Sequence, residues 1–134
     1  MIAKKEQSME RAVGRRKTAI ARTRIMPGKG EITVNGKGLK EFFPLFLLQQ
    51  KVLSPLKVTG RENDMDVSVK VLGGGVHGQA DAVRHGIARA LVKWNEDLKP
   101  MLKAEGYLTR DSRAKERKKY GRRKARRGHQ WKKR

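Results

Sequence analysis

The chain contains no cysteine, which removes a disulfide framework, a thiolate zinc site and a cysteine nucleophile in one step and fits a reducing compartment. No apolar run approaches the roughly twenty residues that span a bilayer. The first ten residues, MIAKKEQSME, carry two Glu and lack the apolar stretch of a secretory signal. Together these absences point to a cytoplasmic protein. The three histidines, His77, His85 and His129, include no His-x-x-x-His pair that would place two imidazoles on one helix face, so no metal site is expected. Ser8, Ser54, Ser68 and Ser112 sit in no nucleophile-elbow pattern, and no paired carboxylates stand in an apolar setting. Neither a catalytic centre nor a cofactor site is expected. Acidic residues are also few, 13 against 34 Lys and Arg, for a net charge of +21 over 134 residues.

Much of that charge lies at one end. Residues 110–134 hold fourteen Lys or Arg and only Asp111 and Glu116, a local net charge of +12. Such a segment has almost no aliphatic surface to offset the entropy of ordering it, and its charges repel one another. It needs a polyanion to settle against. Tyr120 and Trp131 are interleaved as stacking surfaces, so nucleic acid fits better than a merely solubilising tail. A membrane surface would require a bulky apolar helix face, which the tail lacks. The remaining 109 residues suffice for one small domain with a modest core. The expected organisation is a flexible extension at 1–10, a globular RNA-binding core at 11–108 and an extended basic tail at 109–134.

Within the core, residues 18–26 (TAIARTRIM) alternate, with Ala19, Ala21, Thr23 and Ile25 on one side of a strand and Arg22 and Arg24 on the other. Pro27-Gly28-Lys29-Gly30 turns the chain, and the next short strand, 31–35, is expected to pair with the first as a hairpin ending at Asn35-Gly36. Residues 42–53 are too continuously apolar for a half-exposed strand and read as a buried helix, with Pro44 in its first turn. A short strand is expected at 56–59. Residues 65–72 (MDVSVKVL) alternate most cleanly, with Met65, Val67, Val69 and Val71 inward. After Gly73-Gly74-Gly75 the period lengthens to about 3.6. A helix over 79–94 would bury Val83, Ile87, Leu91 and Trp94 and carry a basic stripe, His85, Arg89 and Lys93, with Arg84 beside it. A shorter helix near 100–104 stops at Gly106. The order β-β-α-β-β-α-α predicts an α+β two-layer sandwich, a four-stranded sheet with helices on one face.

Gly73-x-Gly75-x-x-Gly78 matches the letter of the dinucleotide fingerprint and lies between a strand and a helix. Its context does not fit, because NEDLKPMLKAEG after Trp94 offers no second parallel strand. The local physics remains: Gly74 and Gly75 let a backbone approach closely, and unpaired amides at a helix start, with Gln79 nearby, favour an anion such as an RNA phosphate. A tight strand-to-helix turn without a ligand explains the same residues. Arg15, Arg16 and Lys17 lack the spacing of a phosphate loop, but they lead into the face of Arg22 and Arg24 and are expected to meet phosphates.

The stretch Gly73-Gly74-Gly75-x-x-Gly78-Gln79-x-x-Ala82-x-x-x-Gly86-Ile87-Ala88-Arg89-Ala90-Leu91 resembles the signature of the small-subunit ribosomal protein nine family. Val13 to Arg22 before it, and 106–113 and 116–127 after it, extend the resemblance over nearly the whole chain from about Glu10, in the bacterial form. The resemblance implies the fold of the second domain of ribosomal protein five, with a left-handed βαβ crossover. It implies a structural, non-enzymatic role on small-subunit ribosomal RNA in the head of the subunit, beside small-subunit proteins seven, ten and fourteen. Lys132, Lys133 and Arg134 would then touch the peptidyl-site transfer RNA. The ribosomal RNA would be met by Arg15, Arg16, Lys17, Arg22, Arg24, Gly74, Gly75, Gln79 and Arg89 in the core. In the tail it would be met by Arg110, Arg113, Arg117, Lys118, Lys119, Tyr120, Arg122, Arg123, Lys124, Arg126 and Arg127. Two departures are visible: in Trp131-Lys132-Lys133-Arg134 a Lys, at 132, stands where the family's ending of aromatic residue, Ser, Lys, Arg has Ser, and Phe42 to Leu48 is more apolar than the family pattern.

Two other readings are separable. Phosphate contacts alone do not distinguish RNA from DNA, so a DNA-compacting protein would show the same charge but sediment with the nucleoid. A small phosphotransferase using the glycine turn would take up ATP and magnesium with measurable heat.

Overall fold

Two antiparallel strands open the fold, β1 (Glu10–Arg16) and β2 (Ala19–Pro27), joined by a tight turn in which Lys17 takes φ 54°. The computed structural model describes residues 9–110. A second, minimal hairpin follows, β3 (Ile32–Val34) and β4 (Lys37–Gly38). Asn35 (φ 52°) and Gly36 (φ 79°) make its two-residue turn, the left-handed pair that an Asn-Gly sequence favours. The helices are α1 (Leu39–Phe42), α2 (Phe46–Val58), α3 (Val76–Trp94) and α4 (Lys99–Ala104), with a 3-10 turn at Glu96–Leu98. Strand β5 (Met65–Leu72) lies between the two hairpins, antiparallel to β2 and parallel to β3. The five-stranded order is therefore β1-β2-β5-β3-β4.

The mixed α+β class and the single helix-covered face agree with the expectation, but the strands differ in three ways. There are five rather than four. The expected β2–β3 hairpin does not form, because β5 is inserted between its two strands: Val67 and Val69 stand opposite Ile25 and Thr23 on one side, and Ile32 and Val34 on the other. The most valine-rich strand thus takes the place where both of its edges are paired. The strand expected at 56–59 is instead the last turn of α2. Pro55 lies inside that helix with its ring buried beside Leu56, and Gly60 (φ 71°) ends it, the Arg61 amide donating to the Leu56 carbonyl. Pro44 is not in a first helical turn. It follows Phe43, which is held extended as a residue before proline favours (φ −116°, ψ 88°), and the helix begins at Phe46.

Strand parity builds the core. Ala12 and Gly14, Ala19, Ala21 and Ile25, Ile32 and Val34, and Met65, Val67, Val69 and Val71 face the helices, where Val83, Ile87 and Leu91 of α3 meet them. Phe43, Leu48, Val52 and Leu56 join the core, with Phe42 and Leu53 packed against it, but Leu45, Phe46 and Leu47 of the same segment are exposed, so the helix expected to be buried over 42–53 is buried on one side only. Trp94 is only partly buried, with the Arg61 guanidinium 5.0 Å from its ring centre. Helix α3 lies unusually close to β1 and β2, because Gly14 and Gly86 meet without side chains. A Cβ on Gly14 would stand 2.2 Å from the Gly86 nitrogen, and one on Gly86 would stand 2.3 Å from Thr23 Oγ1. That approach sets the height of α3 and of everything it projects past the sheet edge.

Candidate nucleic-acid interface

The sheet face away from the helices is uncovered, and it is basic. Strand alternation places Arg11 and Arg15 of β1, Arg22 and Arg24 of β2 and Lys70 of β5 there, all exposed. Register makes the placement costly. Arg11 stands directly opposite Arg24, and Arg22 directly opposite Lys70, and like charges facing each other across strands oppose folding. Among the described residues none of the five makes an ion pair. The carboxylate at the end of this face, Asp66, is committed elsewhere: its Oδ1 accepts the amides of Lys29, Gly30 and Glu31 at 2.9, 3.0 and 3.0 Å. Those amides, Glu31 foremost, hold its pKa below the usual 3.8 and fix the β2–β3 loop.

The basic stripe of α3 has a different task from the one its spacing suggests. His85, Arg89 and Lys93 bind the free edge of β1 at every second residue: the Arg15 amide donates to His85 Nδ1 (3.3 Å), Arg89 Nη1 donates to the Val13 carbonyl (2.6 Å), and Lys93 Nζ donates to the Arg11 carbonyl (2.9 Å). Four helical residues rise about 6 Å and two strand residues about 7 Å, so the two ladders match. The Arg15 amide can only donate, which leaves the His85 proton on Nε2, 3.2 Å from the Leu108 carbonyl that accepts it. Burial holds the His85 pKa below 6.5, with Arg89, Arg110 and Arg84 adding in the same direction against the Leu108 bond. His85 is therefore a neutral clasp between the β1 edge and the root of the tail. Arg84 adds a second clasp, with its guanidinium 5.2 Å from the Tyr107 ring centre.

At the other end of α3, Gly73 (φ 76°) and Gly74 (φ 66°) pass over the β1–β2 turn. A Cβ on Gly73 would come 2.6 Å from the Thr18 carbonyl oxygen. Gly75 is the N-cap and offers no side chain, and its carbonyl accepts the Gln79 amide at 2.9 Å. Gln79 Nε2 donates to the Gly73 carbonyl at 3.2 Å and braces the turn. Gly73 and Gly74, braced by Gln79, thus lie against Thr18 and Ala19, next in sequence to the exposed Lys17. Arg16 does not join the arginine face. Its side chain points to the helix side, 11% exposed, with Nε 3.4 Å from Asp81 Oδ2, while Lys51 Nζ (2.9 Å) and Arg84 (3.8 Å) meet Oδ1 of the same carboxylate. Asp81 therefore joins β1, α2 and α3.

Among the described residues no group of His, Cys, Asp or Glu could hold a metal ion, and no helix is long and apolar enough to cross a membrane. The family model for ribosomal protein S9/S16 matches residues 14–134. The chain belongs to this family. The small ribosomal subunit protein uS9 of Lawsonia intracellularis (strain PHE/MN1-00) is 54% identical over 123 residues, which are 92% of this chain and 95% of that protein.

In this S9-family chain, Arg15, Arg22 and Arg24 share the open face as expected, Arg89 overlooks its edge, and Arg110 stands beside Arg89. The expected contacts Arg113, Arg117, Lys118, Lys119, Tyr120, Arg122, Arg123, Lys124, Arg126, Arg127, Lys132, Lys133 and Arg134 lie outside the described residues. Arg11, Lys70 and Lys93 complete the basic surface and were not among the expected contacts. The first two alternate outward in their strands, and the signal for Arg11 was the small inward pair Ala12 and Gly14 flanking Val13.

Proposed function

We propose that this structural constituent of the small ribosomal subunit attaches to small-subunit ribosomal RNA in the head, through its open sheet face and its basic tail, and that Lys132, Lys133 and Arg134 reach the peptidyl-site transfer RNA. The observation that carries the reading is the uncovered sheet face, on which Arg11, Arg15, Arg22, Arg24 and Lys70 stand without a carboxylate partner among the described residues. Opposed like charges weaken the free protein and are relieved when phosphates intervene. The family places the chain in the small subunit, where RNA is the polyanion at hand. The same resemblance suggests small-subunit proteins seven, ten and fourteen as neighbours. Positioning on RNA needs no cofactor and no small-molecule substrate.

Subunits reconstituted with the full chain or with a chain lacking residues 128–134 test both halves. The truncation removes three of the tail's fourteen cations, so the protein should still co-sediment with the subunit, while peptidyl-site transfer RNA dissociates faster. Equal dissociation rates with both proteins fully incorporated would remove the transfer RNA contact, and failure of the full chain to enter the subunit would remove the whole reading.

A further inference from the structure

The open face and the α3 stripe converge on the β1 edge, where they form a walled groove rather than a flat patch. One cleft of about 400 Å³ is lined by Arg11, Arg22 and Arg24 from the strands and by Arg89 and Lys93 from the helix, with Ala12, Val13 and Thr23 between them and no carboxylate. A second of about 540 Å³ continues it past Val13 and Arg89 to Arg15, His85, Leu108 and Arg110. The helix-side cations are held in place: Arg89 and Lys93 each spend one donor on a β1 carbonyl, which leaves four N–H groups on the guanidinium and two on the ammonium. Their heads are thereby spaced by one two-residue strand step, about 7 Å. Successive phosphates along an extended RNA strand have a comparable spacing. At the third rung the side chain is the neutral His85, and there Arg110 supplies the charge, carried in by the Leu108 clasp.

We propose that the β1 edge is a groove for the sugar-phosphate backbone of one RNA strand, holding consecutive phosphates between the strand row and the helix row and delivering that strand to the tail at Arg110. The inference rests on the RNA-binding reading above and adds to it a single site that spans core and tail. Base edges are not required, because the lining presents cationic donors and no paired donor-acceptor pattern. The opposed Arg11 and Arg24 are explained as a place where two positive charges share an anion.

The full-length chain tests this with small-subunit ribosomal RNA as the probe. Arg11→Ala and Arg24→Ala together remove two phosphate partners that make no intramolecular ion pair. The slope of log affinity against log salt should become shallower by about 1.4 to 1.8, while the urea midpoint stays level or rises because an opposed like-charge pair is gone. In parallel, Val13→Cys places a unique thiol on the groove floor of a cysteine-free chain, and an iron chelate tethered there should cleave one continuous stretch of the RNA. A wild-type salt slope in the double variant, or cuts scattered over unconnected stretches, would overturn the groove while leaving RNA binding by the tail intact. No binding by the wild-type chain would overturn the groove and the reading beneath it together.

Discussion

Gly86→Ala is the substitution on which the packing argument is most exposed. In a helix interior this change ordinarily stabilises by about 1 kcal/mol. Here the new methyl would lie 2.3 Å from Thr23 Oγ1, 3.2 Å from the Gly14 nitrogen and 3.3 Å from Thr23 Cβ, all on or near strand backbone that cannot retreat. Helix α3 must lift away from β1 and β2. Overpacking of this kind costs about 1–3 kcal/mol. The lift also stretches the bonds from His85, Arg89 and Lys93 to the β1 edge, each of which contributes about 0.5–1.5 kcal/mol. With the propensity gain subtracted, the expected net loss is about 1.5 kcal/mol if the bonds survive weakened and up to about 6.5 kcal/mol if all three are lost, read as a lower urea midpoint at unchanged m-value. Gly78→Ala is the internal control: in the same helix, its methyl would find nothing nearer than the Arg16 carbonyl oxygen at 3.7 Å. That variant should be neutral or stabilised by up to about 1 kcal/mol. A Gly86→Ala protein as stable as Gly78→Ala would refute the claim that a glycine contact sets the height of α3.

Two further outcomes concern titration. Because the folded pKa of His85 is depressed, the unfolded chain takes up the proton first; stability should be full above about pH 6.5 and fall on acidification toward the lower folded value, a dependence that thermal melts of His85→Gln should largely lack. Asp66 also has a depressed pKa, so its stabilisation is present above about pH 4 and lost as pH falls through the folded value. Asp66→Asn should lower the urea midpoint modestly at neutral pH, with the difference from the wild-type chain shrinking in acid.

What could be read from residue order alone follows from the size of the inward side chains. Strands β2 and β5 announce themselves because Ile25, Val67, Val69 and Val71 alternate with polar residues. Strand β1 does not, because its inward residues are Ala12 and Gly14, kept small to admit α3, and a strand without bulky inward side chains looks like a charged loop. The residues at 56–59 look like a strand because Pro55 seems to end a helix; burial of Pro55 and Leu56 keeps the helix intact. In the site, the alternation of Arg22 and Arg24 was legible, as was the i, i+4 stripe of α3. That the stripe binds the backbone edge of β1, one amide and two carbonyls, was not legible, since it depends on a neighbour 70 to 82 residues away. For the same reason Arg16 could not be told from Arg15 until its tie to Asp81 was visible.

The central place of β5 orders events as the chain leaves the ribosome that makes it. When residue 64 has emerged, the residues of both hairpins are available but share no edge, because the strand that joins them has not yet emerged. Neither two-stranded piece is stable alone in water. Once 65–72 is available, two separate fragments become one sheet, and α3 covers it only after residue 94. The nascent core should therefore resist protease abruptly rather than stepwise, and it should do so before the basic tail has finished emerging. A domain already folded when its tail appears can present that tail to RNA at once, from a fixed point on the β1 edge.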